Sequence, residues 1–402
     1  MSRLLLLQHD SIFARYGGVQ YYLHDLCALS SELLGDESFV SLIPSTGPVR
    51  SEPTSYQFRF VPYPESPLFS KLCNRLPLPL FAAAKRLLKQ EPTDLILCSH
   101  VALAPLGYTL SRLHGVPYAV VVYGTDAWGD LWPQDEWSLR RASHLFSISD
   151  WTKSILVRRG YSPSRIHIIH PRIYEGFETV HASIPRESGR FEMLCIARLD
   201  PKEQYKGQDH ALQALSQLRH EDPKLGFRFT IVGDGEDRSR LERLAVSLGL
   251  EDRVRFLPAV GTRDQLAQLY RESDLYLMPS RFGTWDGEWR GEGFGIVYAE
   301  AAAFGVPSLA YRCGGVMDIV EDGQTGWLVE PDSVSALALT LGQLVGNRAL
   351  VHKTGARARE DVLKKFTRSA VRGELDLALQ KCFAPEAPAQ LHKAQTAFFS
   401  PT

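Results

Sequence analysis

Two glutamates, Glu292 and Glu300, stand eight positions apart in Gly291-Glu292-Gly293-Phe294-Gly295-Ile296-Val297-Tyr298-Ala299-Glu300-Ala301, which runs on into Ala302-Ala303-Phe304-Gly305-Val306-Pro307. Glycines at 293 and 295 let a backbone approach a ligand closely, because no side chain intervenes. The Ala-rich run after Gly295 reads as a helix, and the free N–H groups of a first helical turn favour an anion such as phosphate. One carboxylate lies before that turn and the other about a turn inside it. One can then take the hydroxyls of one sugar while the second binds another. The pattern suits a sugar joined to a phosphate.

These residues need a scaffold. The apolar run Asp274-Leu275-Tyr276-Leu277-Met278-Pro279 predicts a strand, followed by a long loop and a helix opening near Gly295. Similar short runs recur upstream at Leu4–Leu7, Phe39–Ile43, Phe58–Val61, Leu95–Cys98, Tyr118–Tyr123, Leu145–Ile148 and Ile166–Ile169. A second set follows at Met193–Ile196, Phe227–Val232, Val254–Leu257, Leu275–Met278, Ser308–Ala310 and Trp327–Val329. Short apolar runs separated by amphipathic segments predict parallel sheets covered on both faces. The fold class expected is α/β, with two Rossmann-like doubly wound parallel-sheet domains facing across a cleft. Ligands of such sheets bind beyond the carboxyl ends of the strands. The expected division is residues 1–172 and 173–367, with the linker at 172–189, where Pro171, Gly176, Pro185 and Gly189 fall close together without periodicity. From Asp361 the chain reads as helix, interrupted near Thr367-Arg368. After Phe383 the composition turns to Ala, Pro and Gln, which predicts a poorly ordered tail over 384–402.

Glu292-x7-Glu300 enclosing Gly-Phe-Gly-Ile resembles the signature of the retaining glycosyltransferases of family 4, which have the GT-B fold. Gly314-Gly315-Val316-x-Asp318 and Asp322-Gly323-x-Thr325-Gly326 resemble the same family. The resemblance covers nearly the whole chain and is densest over about 190–330. It implies a nucleoside-diphosphate sugar as co-substrate, no other cofactor and no required metal. It also implies a helix at about 368–383 that crosses back onto the first domain. The acceptor implied is a glycan or a lipid-linked sugar, and GDP-mannose is the donor expected. Glu292 is assigned to the donor sugar, Glu300 to the ribose, and the backbone of Phe294, Gly295 and Ile296 to sugar and phosphates.

Other residues join this reading. Arg198 follows a strand and Lys206-Gly207 comes eight residues on. Two fixed cations aimed at a departing diphosphate stabilise the transition state more than the ground state; the plainer alternative is two solvated surface charges. With Glu292 they form the expected catalytic set. Gly17 and Gly18, in Arg15-Tyr16-Gly17-Gly18-Val19-Gln20, make a strand-to-helix turn that the resemblance sets beside the diphosphate; a bare tight turn is the alternative. Gly233-Asp234-Gly235 caps a strand near the donor pocket or is only a turn. The loop Pro258–Gly261 is carried over as a contact for the base. Tyr123, in Tyr123-Gly124-Thr125-Asp126, stands where related enzymes often carry a histidine. A phenol still donates to a sugar hydroxyl but is no base near pH 7. Asp126 is the alternative acceptor-side group, or a helix N-cap. His9 ends the first strand, as an acceptor contact or a satisfied structural histidine. The loop Arg281–Gly291 carries Trp285 and Trp289, expected to close over the donor and stack on a ring, or else to pack down. Lys71–Leu76 and Phe81–Lys89 mix basic and apolar residues, as a contact for an anionic membrane or as a helix packed on its own domain.

The totals bound the alternatives. At 402 residues the chain has room for two cores. A net charge of −1 argues against nucleic acid as partner. The six cysteines include no C-x-x-C pair, so a disulfide or zinc framework is not expected. The opening apolar stretch is stopped by Gln8-His9-Asp10, too early for a signal peptide, and no run of about 18 apolar residues would span a membrane. The expected location is cytoplasmic, with peripheral contact at the inner face of the membrane. No Asp-x-Asp metal motif occurs, and no G-x-G-x-x-G follows the first strand as a redox enzyme would need. A 2-epimerase acting on nucleotide sugars would need an acid/base pair, which none of these motifs supplies. A non-catalytic binding protein is opposed by Arg198, Lys206, Glu292 and Glu300 together.

Overall fold

A computed structural model of the chain describes residues 2–9, 17–45, 55–63, 77–179 and 189–384. In the N-terminal domain, β1 (Leu4–Leu7), β2 (Phe39–Ser45), β3 (Phe58–Pro62), β4 (Leu95–Cys98), β5 (Tyr118–Val122), β6 (His144–Ser147) and β7 (Ile166–Ile168) form one parallel sheet in the order β3-β2-β1-β4-β5-β6-β7. In the C-terminal domain, β8 (Phe191–Ile196), β9 (Phe227–Val232), β10 (Val254–Leu257) and β11 (Leu275–Leu277) are followed by a hairpin, β12 (Gly283–Trp285) and β13 (Glu288–Arg290). Then come β14 (Ser308–Tyr311) and β15 (Gly326–Val329), giving a second parallel sheet in the order β10-β9-β8-β11-β14-β15. The expected two-sheet α/β fold is therefore present, and each apolar run becomes a strand with ends moved by two residues at most.

The runs are continuous because both faces are covered. Within β1, Leu4 and Leu6 enter one core while Leu5 and Leu7 enter another on the opposite face. Strand order reverses between β1 and β4, and again between β8 and β11. The crevices at these reversal points are where open α/β sheets bind ligands. The loops leaving β8 and β11 carry Arg198, Lys206 and Glu292 into that position.

Three local features differ from the reading of the sequence. The loop Arg281–Gly291 contains the hairpin β12–β13, turned by Asp286 and Gly287 with φ of 51° and 77°. Both turn residues are left-handed, as a tight two-residue hairpin loop requires, and Asp-Gly is the dipeptide that tolerates it. The first part of the linker is a packed joint rather than a solvated tether. Ile173 and Phe177 are buried, and the buried Arg172 donates to Asp25 Oδ1 at 2.7 Å. The C-terminal helices start earlier than Asp361. Arg348–Lys365 is one helix, and Thr367 caps a second, Arg368–Phe383. That second helix lies against the N-terminal domain: Arg368 and Arg372 both reach Glu32 at 2.8 Å.

The segment Lys71–Leu76, the residues Asp10–Tyr16 and the tail beyond 384 lie outside the described residues. Helix Leu78–Gln90 buries Leu80, Ala84 and Leu87 against its own domain and leaves Arg86 and Lys89 exposed. Cys27, Cys98, Cys195, Cys313 and Cys382 are buried free thiols. Among the described residues no single helix is long and apolar enough to cross a membrane.

Candidate active site

A cleft of about 580 Å³ opens between the two domains. Its C-terminal wall is the loop after β11 and the helix Ile296–Ala303. That helix is nearly all Ala and apolar and is buried, so it presents no polar side chain to cap its own start. Its N-cap, Gly295, has φ of 87° and makes no side-chain cap. The Tyr298 N–H donates to the Gly295 carbonyl at 3.0 Å, which leaves the N–H groups of Ile296 and Val297 for a ligand, and Phe294, Gly295, Ile296 and Val297 line the cleft. Gly293 brings this loop against the other domain. A Cβ built there would lie 2.2 Å from the carbonyl oxygen of Tyr123.

Arg198, Lys206 and Glu292 converge on this cleft. Lys206 Nζ lies 3.4 Å from Glu292 Oε1 and 3.5 Å from Glu203 Oε2. Burial works against the ammonium, but the Glu292 carboxylate and then Glu203 more than offset it, so Lys206 is held above the usual lysine range and stays charged. Arg198 Nη1 lies 3.3 Å from Glu203 Oε1, with its side chain 66% exposed at the cleft mouth. The four charges alternate in sign, Arg198, Glu203, Lys206, Glu292. Glu203 was not singled out in the sequence. Its signal there is a carboxylate three residues before one cation and five after the other, on a turn that folds all three together. Glu292 lines the cleft, with its buried Oε1 turned to the Lys206 ammonium.

Glu300 is placed differently from Glu292. It is 2% exposed and does not line the cleft. Tyr270 Oη donates to its Oε2 at 2.9 Å, and burial raises its carboxyl to about 8. It sits one helical turn beyond the lining residues Ile296 and Val297, near Tyr174.

On the N-terminal side, Gly18 lines the cleft and Gly17 is the N-cap of helix Gly18–Leu34. Tyr21 and Tyr22 in the next turn also line it, with buried hydroxyls that make no hydrogen bond. Neither tyrosine was expected; the helical position just after a glycine pair at a cleft edge is the only cue. Tyr123 lines the cleft, its ring edge-on to Tyr22 at 5.9 Å. Asp126 does not line it. Its Oδ1 accepts the backbone N–H groups of Tyr123 at 3.0 Å and Gly124 at 2.7 Å, and burial raises its carboxyl to about 7. This carboxylate shapes the turn that holds Tyr123, and it is not the N-cap, which is Gly124. The His9 ring lies tilted against His100 at 4.8 Å and its backbone N–H donates to Ser99 Oγ; it too is off the cleft wall.

Gly233, Asp234, Ala259 and Val260 line the cleft beside Ile196, Val232 and Leu266, an apolar slot of the kind a base can enter. The tryptophans do not. Trp285 lies under Arg281 at 5.5 Å, and Trp289 packs on Phe282 at 5.0 Å and against Gly129. Phe282 in turn meets Trp128 and Trp151 of the N-terminal domain at 5.1 and 5.3 Å. The hairpin is an aromatic bridge between domains, and the expected stacking on a donor ring is replaced by packing. Among the described residues, two groups of side chains converge closely enough to share a cation, His144 with His167 and Cys382, and Asp150 with His170 and Asp318; neither lines the cleft.

The chain is similar to known proteins in sequence and in fold. A profile described as Glycosyltransferase Family 4 matches residues 16–173, and one described as Glycosyl transferases group 1 matches residues 176–361. The chain belongs to the group 1 glycosyltransferases and has their GT-B fold. A GDP-mannose-dependent alpha-(1-6)-phosphatidylinositol monomannoside mannosyltransferase of Mycolicibacterium smegmatis is 27% identical over 92% of this chain and 97% of its own. WcaL of Salmonella typhimurium, named as a colanic acid biosynthesis glycosyltransferase, is 27% identical over 69% of this chain and 66% of its own. An exopolysaccharide phosphotransferase of Streptomyces coelicolor is 34% identical, but the match spans only 19% of its length. In fold, sucrose-phosphate synthase of Thermosynechococcus elongatus superposes with a TM-score of 0.75 at 20% identity, over 95% of this glycosyltransferase and 99% of its own chain. HepE of Anabaena, solved with UDP, gives 0.69 at 18% identity over 94% and 100%.

Proposed function

We propose that this glycosyltransferase moves a sugar from a nucleoside-diphosphate sugar to a glycan or a lipid-linked acceptor, with retention at the anomeric carbon and without a metal. One observation carries the reading: Arg198, Lys206, Glu292 and the uncapped start of helix Ile296–Ala303 meet in a single interdomain cleft. The diphosphate would lie on the helix N-terminus with Arg198 and Lys206 against it, where both cations stabilise the charge that grows as the glycosidic bond breaks. The Glu292 carboxylate would accept from the donor sugar, and the slot at Val232, Val260 and Leu266 would take the base. Acceptor attack would come on the face the leaving group vacates, with the departing phosphate oxygen taking the acceptor proton.

GDP-mannose is the donor favoured here, because the mannosyltransferase aligned along nearly the whole chain is named for it. UDP is the competing choice, since HepE was solved with it. Thermal shifts with GDP, UDP and ADP at matched concentrations test this. GDP is expected to raise the Tm most, by the linkage of binding to folding, and transfer assays with a panel of nucleotide sugars should release GDP. No shift with any nucleotide would end the proposal. Peripheral attachment to the inner face of a membrane is proposed through the outward Arg86 and Lys89. Reversing both charges should abolish sedimentation with anionic vesicles, and unchanged sedimentation would exclude this contact.

A further inference from the structure

His170 stands where three parts of the chain meet. It follows β7 in the N-terminal domain and faces Asp318 of the C-terminal domain and Glu374 of helix Arg368–Phe383. Glu374 holds it twice: Oε2 accepts the His170 backbone N–H at 2.9 Å, and Oε1 lies 2.8 Å from Nδ1. Across the ring, Nε2 lies 3.4 Å from Asp318 Oδ2, which also accepts the backbone N–H of Asp150 at 2.5 Å. A neutral imidazole has one N–H and one lone pair. Set between two carboxylates, only the imidazolium donates at both ends. The neutral ring would turn its lone pair toward an anion.

The surroundings agree. Phe294 and Phe366 pack on the ring at 5.6 and 5.1 Å. The charged groups near it are Asp318, Glu374, and Asp150 with Lys153 on helix Asp150–Arg158. Burial opposes the charge, but hydrogen bonds to Asp318 and Glu374 outweigh it and raise His170 to about 9. A raised basic group stabilises this arrangement fully below its unfolded value near 6.5, and that stabilisation is lost as pH climbs through about 9.

We propose that His170 is a positioning residue: its imidazolium ties the C-terminal domain to the N-terminal domain and the crossover helix, fixing the span of the cleft and the backbone at Phe294. Its effect on transfer rests on the proposed function, because Phe294 and Gly295 are there assigned to the donor. The tie itself rests on the geometry alone.

Small-angle scattering of the substrate-free protein from about pH 7 to about pH 10 reads the tie without any assay. The wild type should expand through about pH 9. His170→Gln should be expanded throughout, with no inflection. Glu374→Gln should move the inflection to lower pH, because one carboxylate favouring the charged ring is gone, and this variant carries the test if His170→Gln fails to fold. In transfer assays near pH 7.5, His170→Gln should lose roughly tenfold, chiefly in kcat, and should lack the alkaline fall of the wild type. A wild-type radius flat over this range, or an inflection unmoved in Glu374→Gln, overturns the proposal. An intact inflection with no transfer from any nucleotide sugar would defeat the proposed function and leave the tie standing.

Discussion

At the scale of single residues, the alternation Arg198, Glu203, Lys206, Glu292 sets a carboxylate beside each cation in the cleft. Each cation leans on Glu203, at 3.3 and 3.5 Å. A diphosphate bound between Arg198 and Lys206, as proposed, would compete with that carboxylate. Glu203→Gln should therefore lower the Tm of the free protein and tighten nucleotide binding by roughly threefold to tenfold, seen as a smaller Kd in calorimetry. A larger Kd would show instead that Glu203 orients the cations. Lys206→Ala should cost about 10²–10³ in kcat, since a preorganised charge at the leaving group is lost. Its stability should fall as well, because the buried Glu292 carboxylate loses the cation beside it. Equal losses in nucleotide affinity and in kcat/KM would point to ground-state binding alone.

At the scale of elements, the hairpin β12–β13 shows how a motif can be read correctly for composition and wrongly for use. Two tryptophans in a long loop suggested a lid over the donor. Asp286-Gly287 makes that loop a hairpin, and alternation along its short strands turns Trp289 toward Phe282 and Gly129. The aromatic surface is spent on the N-terminal domain. Replacing Trp285 and Trp289 by Ala should leave the nucleotide Kd unchanged within about twofold, by calorimetry. Trp128→Ala should cost about 3–5 kcal/mol in denaturant unfolding, since that ring is buried and donates from Nε1 to Thr152 Oγ1 at 3.2 Å.

At the scale of the whole molecule, the two domains touch through backbone at Gly293. The absent side chain there sets how closely the two sheets' carboxyl edges approach. Gly293→Ala should fold, because the added methyl strains one loop contact and leaves the strands of both sheets untouched. The added methyl must move the Tyr123 carbonyl away from its 2.2 Å approach, which displaces the acceptor side relative to the donor side. A shift of that order is expected to cost about 10² in kcat while nucleotide affinity, proposed to rest mainly on the C-terminal wall, is retained. Steady-state kinetics with calorimetry on the same preparation decides between these effects.

The sequence alone determined both sheets and the run Gly293–Glu300, because buried parallel strands and glycine-opened helices leave continuous local patterns. It also placed Arg198 and Lys206 on one loop, since both leave the same strand. Tertiary structure decided what local pattern cannot carry. Glu300 turned inward, where the Tyr270 hydroxyl donates to it, while Glu292 stayed on the wall. Asp126 was taken by two backbone N–H groups, and His170 was caught between Asp318 and Glu374, partners 148 and 204 positions away in the chain. Such pairings depend on how two domains and a returning helix dock, and sequence spacing holds no record of that.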